Sequence, residues 1–201
     1  MIKVDYNFYE EYKSDKLLNK LEKRIKNISK RHLDIEPYQG FLMEYFVDIF
    51  SWSVFPLKIL QGIEFILENN NIEIIYDLSC GNGFHVFLFN NFTKIKGYAI
   101  DIQDEDESWV KIIVKDSRVF INELKQNNKQ ALLLSWIDYD DLAFELANKY
   151  KGNIIISVGN YELRSKKYLE YIHNNFSLIK RYKLYFPWKS LEKIEVYKRI
   201  V

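Results

Sequence analysis

A three-layer α/β domain with a mostly parallel sheet is the fold this chain predicts, on three observations. The β-rich run Ile72-Glu73-Ile74-Ile75-Tyr76 ends in Asp77 and passes through Leu78-Ser79-Cys80-Gly81-Asn82-Gly83 into Phe84 to Phe89, which reads as a strand, a small-residue turn and a helix. Ala131-Leu132-Leu133-Leu134 is continuously apolar, as a strand covered on both faces requires. Between and after these two runs, strand-like segments alternate with helical patterns, the order of a sheet built from strand-helix-strand units.

Composition sets the bounds. The 201 residues suit one α/β domain with an appendage, divided here into an N-terminal helical extension, 1–71, packed on a core of 72–201. A formal net charge of +1 excludes a global pull toward nucleic acid or membrane. Cys80 is the single cysteine, which suits a reducing compartment. Met1 to Tyr6 lacks a signal-peptide core and no apolar run reaches the ~18 residues of a span, so a soluble, cytoplasmic protein is expected.

Lys16 to Arg31 places Leu17, Leu18, Leu21, Ile25 and Ile28 at helical spacing, with Lys16, Lys20, Lys23, Arg24, Lys26, Lys30 and Arg31 outside that stripe. Such a basic face can contact phosphate, but a solvated helix on the core is the expected state. Pro37 precedes an aromatic-rich helix candidate, Tyr38 to Phe50. Ser51-Trp52-Ser53-Val54-Phe55-Pro56 leads into a helix over Leu57 to Glu68, closed by Asn69-Asn70-Asn71. Beyond the glycine loop, strands are expected at Ile95 to Asp101, Trp109 to Val114, Ala131 to Leu134 and Ile154 to Val158. Helices are expected at Arg118 to Lys125, through Leu142, Leu146 and Tyr150, and at Lys166 to Asn174. Leu178 to Phe186 and Leu191 to Ile200, separated by Pro187-Trp188-Lys189, read as a closing antiparallel hairpin.

The chemistry centres on the glycine turn. Glycine at 81 and 83 permits a tight strand-to-helix turn and lets backbone approach a ligand, so a nucleoside cofactor is expected. A dinucleotide fingerprint needs a small residue at 86, where Val86 stands. The Asp77 carboxylate would repel a pyrophosphate but suits a cationic amino group or sulfonium, which favours S-adenosyl-L-methionine. Asp101 lies 18 residues beyond Gly83, close to the ~20-residue offset of a ribose-binding acid. Asp116 can cap the following helix. Ligands sit outside the carboxyl ends of such strands, so Ser135-Trp136-Ile137-Asp138-Tyr139-Asp140-Asp141, after the fourth strand, face the same site.

Asp77-Leu78-Ser79-Cys80-Gly81-Asn82-Gly83 resembles the first motif of class I S-adenosylmethionine-dependent methyltransferases, with Ser79 in place of the first glycine. A narrower similarity joins the chain to a methyltransferase-like group that carries four segments in order. These are Ser-Trp-Ser/Ala-Ile-Pro, Leu-Leu-Leu-x-Trp-Pro-Pro-Tyr, Tyr-x-Gly and Val-Gly-Glu. They resemble Ser51 to Pro56, Leu132 to Tyr139, Tyr150-Lys151-Gly152 and Val158-Gly159-Asn160. The resemblance implies a Rossmann-like seven-stranded sheet in the order 3-2-1-4-5-7-6. It also implies cofactor contacts at Asp77, Ser79, Cys80, Gly81, Asn82, Gly83, Asp101, Ile102, Asp116, Ser117, Ser135 and Trp136, with Asp116 reading the adenine edge as the alternative to its helix cap, or both where its two oxygens divide the work.

Methyl transfer requires in-line alignment more than acid–base help, so an obvious catalytic residue need not exist. Asp138 and Tyr139 are the candidates, with Trp52, Phe55 and Asn160 toward the acceptor. In amino-methyltransferases of the Asn/Asp-Pro-Pro-Tyr type a side-chain acceptor and rigid prolines hold the target nitrogen. Trp136-Ile137-Asp138-Tyr139 keeps only the tyrosine in register, and an indole donates without accepting. A small-molecule acceptor is therefore expected rather than a nucleic-acid base, and no membrane partner. Asp138, Asp140 and Asp141 can hold Mg²⁺ but read better as a helix cap, and His32, His85 and His173 have no ligand spacing, so no metal is expected. The competing class is a non-catalytic cofactor-binding or scaffold protein of the same fold, touching nucleic acid through the basic helix.

Overall fold

The computed structural model describes residues 47, 50–104, 108–137, 141–183 and 192–200. The expected basic helix, most of the Tyr38 to Phe50 helix, Asp138, Tyr139, Asp140 and the Pro187 turn lie outside them. The described residues form a seven-stranded sheet in the order β3-β2-β1-β4-β5-β7-β6, the order the resemblance implies. Its strands are β1 (Ile74–Leu78), β2 (Lys96–Asp101), β3 (Ile112–Val114), β4 (Gln130–Ser135), β5 (Ile154–Asn160), β6 (Phe176–Lys183) and β7 (Glu192–Arg199). The first five run parallel, and β7 pairs antiparallel with both β5 and β6.

Helix α1 (Leu57–Asn69) precedes β1, with Pro56 at its N-cap, where the missing N–H is harmless. Asn71 adopts φ 58° just past its end, and the Ile72 amide returns to the Leu67 carbonyl. A left-handed asparagine thus closes the helix and aims the chain into the sheet. Helices α2 (Phe84–Phe92), α3 (Ser117–Glu123), α4 (Leu142–Lys149) and α5 (Lys166–Asn175) follow, with a 3-10 turn at Tyr161–Leu163.

The strand period of two divides the core. Ile75, Leu133, Ile154, Ile156, Ile194 and Val196 face α1 and α2, while Tyr76, Leu132, Leu134, Ile155 and Tyr197 face α3, α4 and α5. Phe50, Val54, Phe55, Leu60, Ile63 and Leu67 belong to the first of these clusters, so residues 50–71 share one core with the sheet. No helix among the described residues is long and apolar enough to cross a membrane.

One boundary is corrected. The third strand is only Ile112–Val114, and Trp109, expected within it, is instead buried under the glycine loop. Its ring lies 4.9 Å from both Phe84 and Phe87 and 6.3 Å from Phe50. An indole of this size stabilises more when enclosed by aromatics than on a half-exposed edge strand.

Candidate active site

β1 ends in a run of left-handed backbone: Ser79, Gly81 and Gly83 have φ of 74°, 54° and 76°. At Gly83 two constraints coincide, because a Cβ there would also stand 2.7 Å from Val110 Cγ2. At Gly81 a Cβ would meet nothing within 4 Å, so this turn of backbone borders open space. Ser79 carries a side chain in a conformation that costs an L-residue about 1–2 kcal/mol. Its amide (2.8 Å) and that of Cys80 (3.1 Å) donate to the Ile100 carbonyl of β2, which holds it there. Cys80 is buried, with its thiol directed at the Gly81 carbonyl. Asn82 accepts the Phe84 amide on its side chain and the Trp109 amide, at 2.8 Å, on its carbonyl. Val86, which ended the dinucleotide reading, packs on Gly97, so the close helix–strand approach is provided from β2 instead.

Asp101 closes the loop from β2. Its Oδ2 accepts the Gly81 amide at 2.8 Å and its Oδ1 the Ile102 amide at 2.7 Å, leaving each oxygen a further lone pair for a ligand hydroxyl. Ile102 beside it is 69 % exposed, an apolar side chain at the rim. Asp116 caps α3, accepting the Arg118 amide on Oδ1 at 2.6 Å, and the cap does not use Oδ2. Ser117 is buried, its hydroxyl 3.5 Å from that of Ser79.

Asp77 is fully buried, and among the described residues neither of its oxygens has a hydrogen-bond partner. Burial pushes its carboxyl above the usual range; His85 draws it back and the nearby Asp101 charge pushes it up further. The His85 Nδ1 stands 3.8 Å from Oδ2, an electrostatic neighbour beyond hydrogen-bond reach.

The Ser51-Trp52-Ser53 segment crosses beside this loop and joins it to the end of β4. His85 Nε2 lies 2.6 Å from the Ser53 carbonyl and 3.2 Å from Ser51 Oγ. Trp136 Nε1–H donates to Ser53 Oγ at 2.7 Å, and Ser53 Oγ donates to Glu192 Oε2 at 2.6 Å. Trp136 has φ 58°, and its backbone amide donates to Val158 of β5. Its ring centroid lies 5.5 Å from that of Trp52, which is 46 % exposed. Ser135, the last residue of β4, pairs with Val158. Asn160 pairs with Glu192 across β5 and β7, and its side chain accepts the Glu162 amide.

Two of the four segments that carry the narrower resemblance therefore touch, through Trp136 and Ser53, 83 positions apart. Phe55 differs from its expectation as an acceptor wall: it is fully buried and stacks on the His85 ring at 4.5 Å, bracing that ring from behind. No group of three or more metal-ligating side chains occurs among the described residues.

No protein-family model matches the chain, and no curated protein matches it in sequence. Solved structures do. A SAM-dependent methyltransferase from Archaeoglobus fulgidus is 14 % identical, with a TM-score of 0.52 over 81 % of this chain and 100 % of that one. A SAM-dependent O-methyltransferase from Thermotoga maritima is 16 % identical, with a TM-score of 0.52 over 74 % of this chain and 67 % of that one. The magnesium protoporphyrin IX methyltransferase of Synechocystis, solved with bound SAM, is 11 % identical, with a TM-score of 0.50 over 94 % and 98 %. The fold is the class I methyltransferase fold.

Within this methyltransferase fold, three residues that the sequence reading did not assign to the site converge on it: Ser53, His85 and Glu192. A polar His85 inside the run Phe84 to Phe89 was a signal that could have been used, because a buried imidazole needs partners. Glu192 lies 139 positions from Ser53, and only the antiparallel place of β7 beside β5 brings the two together.

Proposed function

We propose that this chain binds S-adenosylmethionine at the carboxyl ends of β1, β2 and β3 and passes its methyl group to a small-molecule acceptor beside Trp52 and Trp136. One observation carries the reading: Asp77, fully buried and with neither oxygen hydrogen-bonded among the described residues, lies at the foot of a left-handed turn whose Gly81 borders open space. A buried carboxylate left without donors destabilises the fold unless a ligand supplies them, and a cationic donor suits it best. The same carboxylate disfavours a pyrophosphate at this turn. When bound, the cofactor would supply an activated methyl on a sulfonium.

The protein's share is alignment. Asp77 would take the cationic end of the cofactor, Asp101 the ribose hydroxyls, and Asp116 the adenine edge through the oxygen its cap leaves unused, with Ile102 against the ring. Ser79, Cys80, Asn82 and Ser117 shape the turn that these ligands approach. On the acceptor side, the bond from Trp136 Nε1 to Ser53 sets the plane of the indole, and Ser135 and Asn160 end the neighbouring strands β4 and β5; Asp138 and Tyr139 are the residues we assign to the acceptor's reacting atom. A displacement at a sulfonium methyl needs no proton relay, so positioning accounts for much of the rate.

Asp101→Ala should weaken S-adenosylmethionine binding by about 1.5–3 kcal/mol, the scale of hydrogen bonds to a charged group. Calorimetry reads it directly, and unchanged affinity would remove the ribose assignment. Labelled cofactor offered with adenine- and cytosine-containing DNA and RNA should leave the base amines unmethylated, because the Trp136 indole offers no acceptor to an amine and its one N–H is already given to Ser53 Oγ. Base methylation that disappears in Tyr139→Ala would replace the small-molecule reading with an amino-methyltransferase.

A further inference from the structure

The Asp77–His85 pair supports a further inference, which rests on the cofactor reading above. Two contacts fix where the His85 proton sits. Nε2 lies 2.6 Å from the Ser53 carbonyl, which only accepts, and 3.2 Å from Ser51 Oγ, whose own hydrogen is given to that same carbonyl. Both neighbours of Nε2 therefore require an N–H from it. A neutral imidazole has only one, so the tautomer follows from the network.

Nδ1 is then a lone pair, facing Asp77 Oδ2 at 3.8 Å. Stacking on Phe55 at an interplanar angle of 16° holds the ring in this attitude. An ionised Asp77 would leave two acceptors opposed with no donor between them, both buried. One additional proton, on Oδ2 or on Nδ1, turns that repulsion into attraction. Among the described residues, the remaining polar surroundings do not supply it. Asp101 at the end of β2 adds negative charge, Glu192 of β7 is engaged behind Ser53, and the Cys80 thiol is turned to the Gly81 carbonyl.

We propose that Asp77 and His85 jointly hold one proton in the ligand-free protein and release it to solvent when a cationic ligand binds at Asp77. The charge balances: the pair passes from neutral to −1, the ligand brings +1, and the proton leaves to buffer. Asp101 and burial both favour retention of the proton before binding, and the arriving cation removes that preference. His85 acts here as a positioning residue, because it also clamps the segment that carries Trp52 and Ser53.

The test has two arms. In ligand-free protein carrying ¹⁵N-imidazole and ¹³C-carboxyl labels, titrated from about pH 3 to about pH 9, Nε2 should stay protonated while Nδ1 and the Asp77 carboxyl titrate in one shared step. Separate steps, with Asp77 ionising in the ordinary carboxylate range, would overturn the proposal. In the second arm, S-adenosylmethionine binding is measured by calorimetry in buffers of different ionisation enthalpy, below the midpoint of that step. The wild type should release on the order of one proton more than His85→Asn, in which the amide can donate to an ionised Asp77. Any proton from the ligand's own amine is common to both proteins and cancels. Equal release would overturn the release step. A shared titration with no binding at all would overturn that step and the cofactor reading together, leaving the shared proton established.

Discussion

Glu195→Gln should cost the protein about 3–5 kcal/mol of stability, the penalty for leaving a buried charge without its partner. Glu195 is fully buried on β7, bonded to Arg164, to Arg181 Nε at 2.7 Å and to the Tyr197 hydroxyl at 3.0 Å. The Arg164 side chain is 1 % exposed, so a neutral amide opposite it strands a guanidinium in the core. Burial by itself would push the Glu195 carboxyl up, but Arg164, Arg181 and Tyr197 outweigh it and hold the carboxyl below the usual range. The sign of the pH dependence follows. A lowered folded value contributes stability that is fully present above the unfolded carboxylate value and is lost as pH falls through the folded one. Denaturant melts at stepped acid pH should show this loss in the wild type and a flatter profile in Glu195→Gln. A variant within 1 kcal/mol of wild type would mean that the cluster stabilises no more than a surface pair.

Trp109→Ala should cost a similar 3–5 kcal/mol, as expected for deleting a buried aromatic and leaving its cavity. The effect reaches the site as well. The Trp109 amide is bonded to the Asn82 carbonyl, and its ring lies against Phe84 and Phe87 at the start of α2, so the glycine loop loses the floor on which it turns. S-adenosylmethionine affinity should fall with stability in this variant, whereas Trp109→Phe should recover part of both. Denaturant unfolding and calorimetry on the same samples separate the two effects. Full affinity in Trp109→Ala would show that the loop holds its shape unaided.

How much was legible depends on the distance over which each signal acts. Ile74 to Leu78, Gly81, Gly83 and the apolar Ala131 to Leu134 announced their states locally, because strand pairing and left-handed turns are written in adjacent residues. The strand order came from resemblance, since nothing in β6 or β7 alone says that the later strand lies inside the earlier. Trp109 was misread because an aromatic next to Val110, Ile112 and Val114 satisfies a strand pattern equally well, and only tertiary packing turns it inward. Asp116 kept two roles open in the sequence, and the structure shows the cap directly. Phe55 was misjudged because an aromatic ring has the same identity in a wall as behind one. The links from Ser53 to Glu192 and Trp136 span most of the core sequence, and no short-range pattern encodes them.

The place of β7 has a consequence for synthesis on the ribosome. β7 emerges after every other strand of the sheet, yet it fills the gap between β5 and β6 and carries both Glu192 and Glu195. Until Arg199 has cleared the exit tunnel, the β5 edge exposes unpaired backbone, Arg164 has no counter-charge from Glu195, and Ser53 has no acceptor at Glu192. The nascent chain must therefore wait in an open, edge-exposed state that invites pairing with other chains. Translation pauses or truncations within β7 should make the protein a client of chaperones, and pulse-labelled aggregation during synthesis would reveal it.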